Sequence, residues 1–203
     1  MTVATLHIDI RHYWHAGGGR GAGAVLDAIV HRDPDGLPVL PGRHLKGLLR
    51  DACLRAEAWK WEGFTPGLAH QLFGRPAGDN QPSEPGALRV TDATLPPELT
   101  AWLTWDGEND PRGGKCYLPY LFRSLYATAI EHDSGTAHGK TLRGIEVTVP
   151  LALTARVEPV PGRAPPEGWP GLLADVLPLI DAVGAHRSRG LGRAVLHIEE
   201  AKP

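Results

Sequence analysis

Cysteine is nearly absent from this chain, with two residues among 203. Cys53 and Cys116 lie far apart and make no metal-binding spacing, which excludes a zinc ribbon and a disulfide scaffold and leaves two reduced structural thiols. Long apolar runs are also missing: none approaches the roughly 20 residues that span a bilayer. No basic-then-apolar leader opens the sequence, so a cytoplasmic protein with no membrane partner is expected. An excess of one charge is missing too, the net value being −2. Overall charge therefore does not announce nucleic-acid binding, although local charge decides that question. Tandem repeats and low-complexity tracts do not occur.

What is present is a globular composition, 42% hydrophobic and 22% charged. Glycine (25) and proline (19) are abundant, which predicts many turns and long loops rather than a helical bundle. The length suits a single domain over residues 1–203 with an insertion at about 96–141. Charge is segregated. Acids collect at 106–110, 131–133 and 199–200, and bases at 43–50 and 187–193.

Residues 5–13 (TLHIDIRHY) alternate as a half-buried strand does, and a glycine loop follows at 16–23. Residues 24–31 return as a strand-like apolar segment containing one acid, Asp27. A Pro41-Gly42 turn then opens an amphipathic helix from Arg43 to about Trp59, with Leu45, Leu48, Leu49 and Ala52 on its apolar face. A helical turn over 68–74 is closed by Gly74, and 87–94 is a strand. From 96 to 139 the pattern degrades and reads as an inserted hairpin. Residues 145–157 (IEVTVPLALTARV) carry the strongest strand signal, with Pro150 marking an edge or a bulge. After a proline-rich linker, a second helix over 172–183 is kinked or divided by Pro178, and a last strand runs 193–198. The order strand, helix, strand, insertion, strand, helix, strand predicts an α+β fold. Its form is a ferredoxin-like (RRM-like) palm, an antiparallel sheet with two helices, plus an inserted thumb-like hairpin.

Three stretches carry chemistry. On the first helix Arg43, Lys46 and Arg50 are three and four apart and stack on one side, behind a helix N-terminus that can seat a phosphate. The run 184–193 (GAHRSRGLGR) puts His186, Arg187, Arg189 and Arg193 among glycines that let backbone approach a ligand, a pattern suited to a phosphodiester. Tyr117, Tyr120, Phe122 and His138 are candidates to stack on bases or wedge between them. Asp27 is the catalytic candidate, able to hold a divalent ion or a water beside a phosphodiester, or simply to satisfy a loop amide. Two motifs fail. Residues 135–141 (GTAHGKT) are one residue short of a nucleotide P-loop and precede a strand, and no βαβ unit follows the glycines of 17–23. The ten histidines show no Cys/His pairing of zinc type, and most read as surface or RNA-facing residues.

The run 37–50 (LPVLPGRHLKGLLR) is similar to a signature of the RAMP superfamily of CRISPR-associated proteins, with Arg43-His44 replacing two serines. The stretches 72–74 (LFG), 86–93 (GALRVTDA) and 184–193 also match family runs, in the family's order. Within the superfamily the chain resembles the backbone ("seven" class) subunit of type III effector complexes. That resemblance implies a palm polymerising along CRISPR RNA, with the thumb at 119–141. It also implies target RNA or DNA, copies of itself and other effector subunits as partners. RNA contacts are then expected from Gly18, Gly19 and Arg20, from Arg43, His44, Lys46 and Arg50, from His138, and from Gly184, His186, Arg187, Arg189 and Arg193. Asp27 sits where type III backbone subunits carry the aspartate of a metal-dependent RNA cut, which implies Mg2+ or another divalent ion there. Two other roles remain open within the superfamily: a metal-independent guide-processing nuclease using His15 or His44, and a subunit capping the guide's 5′ end.

Overall fold

The computed structural model describes residues 2–19, 21, 26–77, 82–105, 114–139 and 141–200. Its centre is β1 (Ala4–Ile10), where Ala4, Leu6, Ile8 and Ile10 face inward while Thr5, His7 and Asp9 face out. The strict alternation of the sequence dictates this, because successive strand side chains point to opposite faces. β1 pairs antiparallel on one side with β7 (Ala152–Pro159) and on the other with β8 (Ala194–Glu200). β4 (Leu88–Val90) completes the sheet outside β7, giving the order β4-β7-β1-β8.

Helices α1 (Gly42–Ala58) and α4 (Trp169–Val176) cover one face of this sheet. α1 buries Leu45, Leu48, Leu49, Ala52, Cys53 and Ala56, and α4 buries Trp169, Leu173 and Val176. These meet Leu6, Ile8, Leu153, Val157 and Leu196 in one continuous core. Each such aliphatic or aromatic side chain contributes about 1.5–3 kcal/mol on burial. Burial also pushes the Cys53 thiol up to about 12, so it stays protonated and inert. α2 (Leu68–Phe73) ends at Gly74 (φ 85°), followed by the two-residue pair of β2 (Gly74–Arg75) and β3 (Glu84–Pro85). Past α4, a 3-10 turn at Leu177–Leu179 contains Pro178, so the second helix is divided there. No helix among the described residues is long and apolar enough to cross a membrane.

The region after β4 departs from expectation. It contains α3 (Pro97–Thr104) and a 3-10 turn (Gly114–Leu121) before the hairpin of β5 (Phe122–Ala127) and β6 (Arg143–Thr148) begins. Prolines at 96 and 97 hide α3 from a periodicity reading, although proline fits a helix's first turn. The single strand expected over 145–157 is two strands in two sheets. It breaks at Pro150, which gives β6 to the hairpin and β7 to the central sheet. Residues 26–30 form only isolated bridges, not the regular strand expected there.

Candidate nucleic-acid interface

Four segments distant in sequence meet at one end of the sheet. The chain leaving β1 docks on the hairpin base: Trp14 exchanges backbone hydrogen bonds with Thr148, and its indole Nε1 donates to Val149 O at 3.0 Å. Next to it His15, 3% exposed, places Nδ1 2.6 Å from Glu146 O. The C-terminal glycine loop closes over this histidine, the Ala185 amide donating to His15 O at 2.8 Å. Gly184 (φ 81°) packs so tightly there that a Cβ would lie 2.6 Å from His15 O, which restricts the position to glycine. α1 is tied in from the other side, because Gly184 N–H donates to His44 Nε2 at 2.8 Å. As an acceptor at Nε2, His44 must be neutral. Its pKa is lowered by burial and by the Arg187 guanidinium, in keeping with that role.

This scaffold gathers cations. Arg43 is exposed on the first turn of α1, with half-buried Lys46 and Arg50 behind it. Lys46 has its pKa lowered by burial and by Arg50. In the glycine loop a 3-10 turn, Arg187–Arg189, holds two exposed arginines, and exposed Arg193 follows. His186 starts that turn at φ 57°, a backbone region uncommon for a residue with a side chain, and its pKa is lowered by burial, Arg189 and His15. Among the described residues none of Arg43, Lys46, Arg50, Arg187, Arg189 and Arg193 forms an ion pair. The result is a cluster of uncompensated positive charge beside a backbone loop, a surface able to take a polyanion.

Asp27 sits at the neighbouring start of β6, where it exchanges bonds with Gly144: its N–H donates to Gly144 O (2.8 Å) and its Oδ2 accepts from Gly144 N (3.0 Å). The carboxylate is exposed, and its other oxygen carries no hydrogen bond among the described residues. Glu146, two positions along β6, is an organiser that the sequence patterns did not single out. Its side chain accepts from Val30 N (3.1 Å) and Arg32 (2.6 Å), while its backbone holds His15 and Ala28. A lone acid in the alternating run IEVTV was the available signal.

Several expected contacts stand differently. The α1 N-terminus is not an open anion seat, because Gly42 N–H is taken by Asp92 Oδ1 at 2.7 Å and the His44 and Leu45 amides by Pro41 O. Phe122 is 8% exposed with the Arg32 guanidinium 3.7 Å over its ring, so it is not free to wedge between bases. Tyr120 is 63% exposed, and Tyr117 stacks on Trp102 at 5.5 Å. His15 is a buried framework residue rather than a surface one, and both it and His44 are engaged in structural hydrogen bonds. Gly18 donates to Ile29 O and Gly19 turns at φ 70°, both exposed, whereas Arg20 lies outside the described residues. His138 is exposed in the hairpin tip, its amide on Ala129 O and its Nδ1 3.0 Å from Gly139 O.

The family model described as the RAMP superfamily matches residues 7–195. Among solved structures, a chain of the type III-B Cmr-beta complex bound to cognate target RNA superposes with a TM-score of 0.68 and 12% identity. The match covers 97% of this chain and 96% of that one. A chain of the same complex in its apo state gives 0.67 at 12% identity, covering 98% and 97%. No curated protein sequence matches this chain.

Proposed function

Since this chain belongs to the RAMP superfamily, we propose that it is a guide-RNA-binding backbone subunit of a type III-like CRISPR ribonucleoprotein effector, polymerising along the guide. The observation that carries this reading is the junction of α1 with the glycine loop, where the Gly184–His44 bond brings two sets of unpaired cations together. Such a surface neutralises phosphates without reading bases, as a guide of variable sequence requires. The strand order β4-β7-β1-β8, with α1 and α4 on one face, supports reading the sheet as a ferredoxin-like palm and the β5–β6 hairpin as its thumb. A structural neighbour is a Cmr-beta complex bound to its cognate target RNA, which supports the same assignment.

Target cleavage is the finer part of the proposal. Asp27 suits an Mg2+ ion shared with RNA, because such ions take one or two carboxylates and fill the rest of their shell with phosphate oxygens and water. A bound divalent ion supplies charge neutralisation at the scissile phosphate. The chain's own contribution is to fix Asp27, which its reciprocal bonds with Gly144 do.

The test is co-expression with a CRISPR array and the partner subunits, followed by purification at low salt. Several copies of this chain on a guide of defined length, cutting target RNA, are expected. Asp27→Asn keeps the acceptor for Gly144 N but removes the charge, and should leave assembly intact while lowering cleavage at least about 100-fold. A chain that binds no RNA in the presence of its partners overturns the backbone reading. One copy per guide moves it to a capping role, and cleavage that persists in EDTA removes the metal step.

A further inference from the structure

On the sheet face away from both helices, β1 and β8 place two imidazoles and a carboxylate together. His7 and His197 are directly opposite in the antiparallel register, and Glu199, two residues along β8, returns to the same face. The two rings stack in parallel, with centroids 4.4 Å apart and planes within 2°. Both turn a nitrogen toward the same acid: His7 Nε2 lies 3.7 Å from Glu199 Oε2 and His197 Nε2 lies 3.8 Å from Oε1. One donor atom from each residue falls within 4.8 Å of the other two.

The geometry points to a site for a divalent transition-metal ion of the zinc class, coordinated by His7, His197 and Glu199. An ion held at about 2.0–2.2 Å by tetrahedral donors keeps those donors roughly 3.4 Å apart. The two imidazole–carboxylate separations need to close by only a few tenths of an ångström, and the stacked rings must rotate out of parallel so that both nitrogen lone pairs face the ion, a movement open to an exposed His197 and a half-buried His7. Two imidazoles and one carboxylate form a donor set that zinc accepts with a fourth position left for water. A hard ion such as Mg2+ or Ca2+ prefers an all-oxygen shell, which this site does not offer. Rigidity favours binding. The ligands stand on two hydrogen-bonded strands, so little backbone order is lost when the ion enters. Arg156, on the same face of the adjoining strand β7, is bonded at 2.7 Å to the Glu158 carboxylate that it shares with Arg89, which partly offsets its charge. Occupancy clips the edge strand β8, which carries the glycine loop at its start, to the central strand β1.

The experiment uses the full chain without a polyhistidine tag, stripped with EDTA and dialysed. Titrating Zn2+ by calorimetry should show one tight equivalent, and Co2+ should give the intense visible absorption of a tetrahedral site. His197→Ala and His7→Ala should each weaken that equivalent at least about tenfold, with Glu199→Gln doing so by a smaller factor. Because the side chains of His197 and Glu199 are 58% and 68% exposed, their variants are expected to fold, which far-UV circular dichroism verifies. Added Zn2+ should also raise the melting temperature of the wild type and not that of His197→Ala. A tight equivalent that survives both histidine substitutions, or no stoichiometric binding at all, overturns the assignment. RNA binding does not enter this test, so it stands or fails separately from the proposed function.

Discussion

Two sets of arginines in this protein stand in contrast. Those of the sheet and its surroundings are matched with acids: Arg11 with Asp9, Arg32 with Glu146, Arg55 with Asp51, Arg75 with Glu84, and both Arg89 and Arg156 with Glu158. Arg43 and Arg50 of α1 and Arg187, Arg189 and Arg193 of the glycine loop have no such partner among the described residues. The second arrangement is unfavourable in isolation. Lys46 sits beside Arg50 and His44 beside Arg187, and in both the charged form is disfavoured partly by the like charge nearby. A domain holding cations together without acids is left with a surface that an anion relieves. A matched arginine is engaged in holding the fold and offers little to an incoming phosphate. Net charge conceals this division, since the acids that bring the total to −2 lie mostly elsewhere.

The sharpest way to break this contrast is to exchange the two sets. Lys46→Ala, Arg50→Ala and Arg187→Ala combined should lower affinity for single-stranded RNA by at least about 100-fold, since a hydrogen bond to a charged group is worth about 1.5–3 kcal/mol. The slope of log K against log salt should fall by about 2, at roughly 0.7 for each phosphate left unneutralised. Arg11→Ala, Arg89→Ala and Arg156→Ala combined remove the same number of charges and should leave affinity within about twofold. Filter binding at several salt concentrations measures both. Equal losses in the two triple variants would mean that only net charge matters and that the division has no functional content.

The matched set should instead show itself in stability. Glu158 is 8% exposed, and the hydrogen bond from Arg156, followed by that from Arg89, holds its carboxyl below the usual range against the opposing effect of burial. Removing both arginines leaves a nearly buried carboxylate uncompensated, at a cost of about 1–3 kcal/mol in urea unfolding at neutral pH. The sign follows from the lowered pKa. The contribution is complete above the unfolded value of 4.5 and is lost as pH falls through the folded one, so wild type and double variant should converge in acid.

The central sheet could be read from the residues because its signals are local. Alternation in residues 4–10 and the 3.6-residue stripe of α1 each specify a buried face without help from the rest of the chain. Residues 145–157 misled because both β6 and β7 carry β-branched alternation, and Pro150, the one mark of the change of sheet, reads equally as an edge or a bulge within a single strand. The cations were visible as sequence runs, but their meeting was not. It is made by long-range bonds such as that between His44 and Gly184, and nothing local to either residue announces it. The helix N-terminus misled for a related reason, since the carboxylate that fills it comes from Asp92 in another segment.

That long-range bond provides the mildest test of the division between framework and interface. His44 accepts from Gly184 N only while neutral, and burial with Arg187 lowers its pKa from the ordinary 6.5. Below pH 6.5 the unfolded chain takes up a proton that the folded chain refuses. Stability is therefore full above that value and declines as pH drops toward the lowered folded pKa, where the loss levels off. His186 shifts in the same direction and adds to the decline. His44→Gln keeps an acceptor but cannot titrate, so it should flatten part of the slope of unfolding free energy below pH 6.5 while leaving the Glu158 effect at lower pH unchanged. RNA binding should follow the same window for a different reason. Protonated His44 adds a cation to the surface, yet it releases the glycine loop that presents Arg187 and Arg189. If the loop's placement matters more than one further charge, wild-type affinity measured at fixed salt falls as pH is lowered through this range, and the His44→Gln protein shows a shallower fall. An affinity that rises instead would assign His44 to the phosphate-contacting set and not to the framework.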